Sequence, residues 1–200
     1  DYTHSGTELA KCSKLIIGYD AAGEFSLNMT GGSLKINDRI ILGASALSAI
    51  SGTLNQDSGT IETAIMEAGS KTKGTYTISG GQLNISNIFY TGTADYPATE
   101  GQVVQTGGDV NISDSLYLPN NGRGLYDISE GTLNIAFNIY GGQNENSIGT
   151  ININGGIVNV GNKLLIGNHG NCTLNMIGGQ VNVGVQIYIP ANQSGSGKLN

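Results

Sequence analysis

The stretch GGQVNVGVQIYIP, residues 178–190, alternates apolar and polar residues with a period of two, the pattern of a β-strand that buries one face. Val181, Val183, Ile187 and Ile189 fall on one side, while Gln180 and Asn182 share the other side with Tyr188. An aromatic ring among outward amides calls for an explanation, and repetition supplies it, because the same pattern recurs along the chain.

Aligned on the second glycine of a recurring GG-x-L-N-I element, equivalent positions are Gly32, Gly59, Gly81, Gly108, Gly131, Gly156 and Gly179, at intervals of 27, 22, 27, 23, 25 and 23 residues. A looser copy, SGTELAKCSKLIIG, precedes them, and a half copy, GSGKLN, closes the chain. Each copy holds three short alternating segments, for example TLNM at 173–176, QVNV at 180–183 and QIYI at 186–189. Three short strands per 22–27 residues predict one coil of a parallel β-helix, each strand stacking on its counterpart one coil away at about 4.8 Å. The expected fold is all-β: a right-handed, single-stranded parallel β-solenoid of about eight coils, the hand following from the preference of parallel crossovers. Residues 1–200 form one such domain, either a segment of a longer repetitive array or a subunit in one.

Composition agrees with this fold. The 32 glycines and 12 percent charged residues suit many short strands joined by tight turns. A net charge of −6 with no basic cluster argues against a nucleic-acid partner, and no apolar run reaches the roughly 18 residues of a membrane-spanning helix.

Inward positions should stack as apolar columns: Met29, Ile78, Ile128, Ile153 and Met176 in the first strand; Leu34, Ile61, Leu83, Val110, Leu133, Val158 and Val181 in the second; Leu15, Ile40, Ile65, Ile88, Leu116, Ile139, Leu164 and Ile187 in the third. Gln56 and Gln105 also fall at inward first-strand positions. Either the strand is locally shifted there, or the buried amides bond to each other or to water.

The phrases GGQLNIS, GGDVNIS, EGTLNIA, GGIVNVG and GGQVNVG resemble the glycine-rich strand repeats of large bacterial extracellular proteins, the autotransporter-passenger and PEP-CTERM-associated type. The resemblance covers nearly the whole chain and implies an exported, surface or matrix location. It transfers no catalytic residue.

Outward second-strand positions read Lys35, Glu62, Asn84, Asn111, Asn134, Asn159 and Asn182. The five asparagines are placed to form an amide ladder up the axis, with Lys35 and Glu62 as an exposed pair of little energetic weight. The central outward third-strand position reads Ile16, Ile41, Met66, Phe89, Tyr117, Tyr140, Leu165 and Tyr188. Seven steps of about 4.8 Å would make this apolar and aromatic stripe roughly 34 Å long. A loop or tail of the same chain, ring-on-ring stacking, a second solenoid packed laterally or a polymer laid along it would each cover the stripe.

Length variation falls between the third strand and the next first strand, an edge that would display Asp95, Tyr96, Glu100, Arg123 and Glu145. No catalytic constellation emerges and no cofactor or metal site is expected. Arg39 and Arg123 lie coils apart, Asp109 and Asp127 belong to different columns, and His4 and His169 are too distant to share a metal. Cys12 and Cys172 belong to the first and eighth coils and should not pair. The ends, with DYTHSGTELAKCSKLIIG matching a second and third strand and GSGKLN a first, lead to the expectation of axial continuation. The expected function is therefore that of an extracellular structural solenoid that self-associates into fibres or adheres through its stripe. The alternative is a polysaccharide-binding or polysaccharide-cleaving module, since pectate-lyase-like enzymes share the architecture.

Overall fold

The computed structural model describes residues 2–4, 9–19, 22–47, 49–93 and 99–200. Among the described residues eighteen strands pair into one continuous sheet, and every pairing is parallel. The strands stack as a β-solenoid of about seven turns, with three walls that follow the three segments of the repeat.

Register runs coil over coil as the repeat predicts. In the first wall Met29 pairs with Gln56, Gln56 with Ile78, Ile78 with Gln105, Gln105 with Ile128 and Ile128 with Ile153. In the second, Leu34, Ile61, Leu83, Val110, Leu133, Val158 and Val181 follow one another. The inward side chains of all three walls form a single apolar core, except in the last coil, where Met176 and Ile187, expected inward, are exposed. Each coil alone could bury little, so the columns between coils supply the stabilisation.

The corner between first and second walls depends on glycine. All seven glycines of the repeat alignment adopt positive φ, from 66° at Gly108 to 84° at Gly131, a region closed to most side chains. They also sit directly on one another: a Cβ at Gly131 would come 2.2 Å from the Gly108 carbonyl oxygen.

The two glutamines are in register, so of the two alternatives the local shift does not hold and the amides are buried and hydrogen-bonded. Both are fully buried, and their partner is a tyrosine from the next coil. Tyr76 Oη donates to Gln56 Oε1 at 2.6 Å, and Tyr126 Oη to Gln105 Oε1 at 2.8 Å. The amide nitrogens donate to backbone: Gln56 to Gly59 and Gln82 carbonyls, Gln105 to Gly108 and Thr132 carbonyls, all at 3.0–3.1 Å. Burial raises both phenols well above their ordinary pKa.

Two expectations need correction. The chain does not open on second and third strands alone, because Tyr2–His4 pairs with Leu27–Met29 and so belongs to the first wall. The third-strand phase also differs in two coils. Ile40 pairs with Met66, Met66 with Phe89 and Phe89 with Leu116, so Met66 and Phe89 are inward and fully buried. Ile65 and Ile88 are only partly buried. The opposite phase would drive the Glu67 carboxylate into the apolar core, at a cost that burial of Ile65 in place of Met66 could not offset. As folded, Glu67 accepts a hydrogen bond from Arg39 Nη1 at 2.8 Å and one from Ser70 Oγ at 2.9 Å.

Cys12 is exposed near one end, and Cys172 is buried where the inward glycine column Gly52, Gly74, Gly101, Gly124 and Gly149 gives way to a side chain. Burial pushes the Cys172 thiol up to about 12, against a smaller lowering from a backbone contact with Gly167. A thiol-specific reagent near neutral pH is therefore expected to modify Cys12 promptly and Cys172 only after unfolding. Because the folded-state pKa is the higher one, the thiol's contribution to stability is intact below its unfolded value of about 8.5 and fades as pH rises towards 12. Tyr76 and Tyr126 titrate in the same sense, so urea midpoints should hold steady to about pH 8.5 and fall above it. A midpoint unchanged up to pH 11 would contradict these burials.

Candidate functional site

The outward faces carry three features. The first is the amide ladder of the second wall. Asn111 Nδ2 donates to Asn84 Oδ1, Asn134 to Asn111, Asn159 to Asn134 and Asn182 to Asn159, at 2.8–2.9 Å. Every rung points the same way, and all five residues proposed from the repeat take part. Below them Lys35 Nζ lies 2.8 Å from Glu62 Oε2, both side chains about half exposed, so solvent screens most of this attraction.

The repeat reading missed a further ladder in the first wall. Asn55 donates to Asn28 at 2.7 Å, Asn152 to Asp127, Asn175 to Asn152 at 2.8 Å and Asn200 to Asn175 at 2.6 Å. Its signal was present in the sequence: Asn28, Asn55, Asn152 and Asn175 each immediately precede an inward first-strand residue.

The second feature is the outward column of the third wall. Register places Ile16 beside Ile41, Ile41 beside Glu67, Glu67 beside Tyr90, then Tyr117, Tyr140, Leu165 and Tyr188 in succession. Six of the eight predicted members are present, while Glu67 and Tyr90 occupy the places assigned to Met66 and Phe89. The stripe is thus interrupted by a charge. Glu67 is buried against Arg39, whose Nε also lies 3.3 Å from Asp38.

Above that ion pair the stripe is a stack of rings. Tyr90 and Tyr117 have centroids 5.1 Å apart at 27°, and Tyr117 and Tyr140 4.8 Å apart at 19°. These spacings repeat the axial rise of parallel strands. The rings turn their faces to one another and leave edges and hydroxyls towards solvent. Tyr140 Oη accepts from Asn138 Nδ2 at 2.9 Å, and Tyr188 Oη donates to Gln186 Oε1 at 2.7 Å with Lys163 Nζ 5.8 Å from its ring centroid. Desolvation, reinforced by the neighbouring phenols and Asp114, raises the pKa of Tyr117.

The third feature lies between the other two, where the turn from second to third wall leaves an open groove beside the ladder.

The remaining candidates do not converge. Glu100 and Arg123 open first-wall strands, in register with Lys73, whose Nζ is 3.8 Å from Glu100 Oε1. Glu145 is an exposed turn residue, and Asp95 and Tyr96 lie outside the described residues. Asp109 belongs to the second wall and Asp127 to the first. His169 Nδ1 is 3.1 Å from Ser194 Oγ, and its Nε2 is 3.3 Å from Asn192 Nδ2. The Asn192 amide nitrogen can only donate, so the neutral ring carries its proton on Nδ1 and donates to Ser194. That polarity is the reverse of the one a base needs to activate a serine. Among the described residues no three His, Cys, Asp or Glu side chains are grouped to hold a metal ion, and no helix is long and apolar enough to cross a membrane.

No protein-family model, curated protein or solved structure matches the chain.

Proposed function

We propose that the chain is a structural β-solenoid of an exported surface or matrix protein, a stiff rod that associates with further copies through its third wall. The observation that carries this reading is the column Tyr90, Tyr117, Tyr140, Leu165 and Tyr188, in register across successive coils, with its first three rings stacked on one another and its far end partly exposed, where Tyr188 is 37 percent accessible. Ring stacking within the chain holds the ribbon flat and limits the side-chain entropy lost when a second surface packs on it. Tyrosine edges with their hydroxyls suit a protein surface able to supply both apolar contact and hydrogen-bond acceptors. The composition supports the same location: Asn-rich ladders and few charges make a rod that depends little on salt.

The double variant Tyr140→Asp, Tyr188→Asp tests this reading. Leu165 separates the two positions in the column, so the new carboxylates are not adjacent. We expect far-UV circular dichroism and melting to stay close to wild type, because both side chains face outward. Association measured by light scattering should weaken by about tenfold or more as aromatic contacts are replaced by desolvated charge. Unchanged association would remove the third wall from the interface.

A further inference from the structure

Beside the amide ladder, the turn from second to third wall stacks a column of small exposed residues, Ser86, Ser113, Ala136, Gly161 and Gly184. Two concavities of about 290 and 480 Å³ run along this column and share Asn111 and Ser113. Together they form one groove parallel to the solenoid axis. Its ladder bank spans Lys35 to Asn182, six coil steps or roughly 29 Å.

We propose that this groove binds an uncharged, extended polysaccharide laid along the axis. Charge decides the class of ligand. Between Asn84 and Gly184 no groove-lining side chain is ionisable, and the two that are, Lys35 and Glu62, neutralise each other at 2.8 Å. A polyanion would find no cation to hold it, whereas a neutral polyol loses no charge solvation on entering. Hydrogen-bonding capacity is available. Asn111, Asn134 and Asn159 each spend one N–H and one acceptor position on the ladder, and an amide offers two N–H donors and two lone pairs. One donor and one acceptor therefore remain per coil for ligand hydroxyls. The apolar floor of Ala136, Gly161 and Gly184 meets the C–H faces of sugar rings. Periodicity favours a polymer over a folded protein, because successive coils offer the same groups at one rise and no unique register for a globular partner. This site is separate from the third-wall ribbon and does not rest on the reading of that face.

Affinity electrophoresis of the whole chain through gels containing galactomannan, mixed-linkage β-glucan or dextran, with polygalacturonate as the acidic comparator, tests the proposal. Retardation is expected in at least one neutral polysaccharide and not in polygalacturonate. Ala136→Trp and, separately, Ser113→Trp should each fill the groove, weakening retention by about tenfold or more. Tyr140→Asp with Tyr188→Asp should leave retention unchanged. Should Ala136→Trp disturb folding, Ser113→Trp, at the exposed position the two concavities share, carries the test. Absence of retardation in all three neutral gels, stronger retardation in polygalacturonate, or wild-type retention by a folded Ser113→Trp variant would each overturn the proposal.

Discussion

Gly131→Val is expected to cost the solenoid about 4 kcal/mol or more, among the largest effects available to a single substitution. Two penalties act together. Gly131 sits at φ 84°, where a β-branched residue is strongly disfavoured. Its Cβ would also meet the Gly108 carbonyl oxygen at 2.2 Å and the Gly107 carbonyl carbon at 2.7 Å. The contacts are with backbone of the same corner one coil below, so no side chain can rotate away and the whole corner must move. For a domain of this size such a loss corresponds to a fall in melting temperature of about 8–16 °C, readable by circular dichroism. A melting temperature within about 2 °C of wild type would mean that the glycine corners do not stack as described.

The second large effect concerns the buried polar units. Gln105→Leu preserves volume but deletes three hydrogen bonds, leaving the Tyr126 hydroxyl without its acceptor and the Gly108 and Thr132 carbonyls without that donor. Orphaning buried groups costs about 1–3 kcal/mol each, and the carbonyls retain a second lone pair, so a loss of about 2–4 kcal/mol is expected. Tyr126→Phe removes only the hydroxyl and should cost about 1–2 kcal/mol. With both changes made, the hydroxyl no longer needs a partner. The double variant should therefore be more stable than the sum of the two losses implies, by about 1 kcal/mol or more. Strict additivity would show that the two groups do not act as a unit. Gln56 and Tyr76 have the same geometry and should give the same non-additivity. These units also penalise misregister, because only the native stacking puts each phenol over its glutamine.

Much of this architecture was legible from spacing alone. Glycines 22–27 residues apart, each followed by an alternating apolar pair, define the walls and their register, and the five-membered asparagine ladder follows from counting. The third wall was less legible because AIMEA at 64–68 and NIFYT at 87–91 each carry two adjacent apolar residues, so alternation fits either phase. Two local facts resolve them. Asn84 to Tyr90 is the same spacing as Asn111 to Tyr117 and Asn134 to Tyr140, which puts Tyr90 in the outward column. Glu67 must face a partner rather than the core, which turns Met66 inward. The glutamines were recognised as inward, but their tyrosine partners were not, since Tyr76 and Tyr126 look like ordinary core residues until neighbouring coils are superposed. The groove was missed for a related reason. Ser86, Ser113, Ala136, Gly161 and Gly184 differ in chemistry and share only small size, so no residue-type motif marks them.

The most direct test of the proposed function is negative-stain electron microscopy of the purified chain at micromolar concentration, wild type beside Tyr140→Asp, Tyr188→Asp. The account predicts rods paired or bundled side by side for wild type and dispersed single particles for the variant. Dispersed single particles for wild type, or bundles unaffected by the two aspartates, would contradict it.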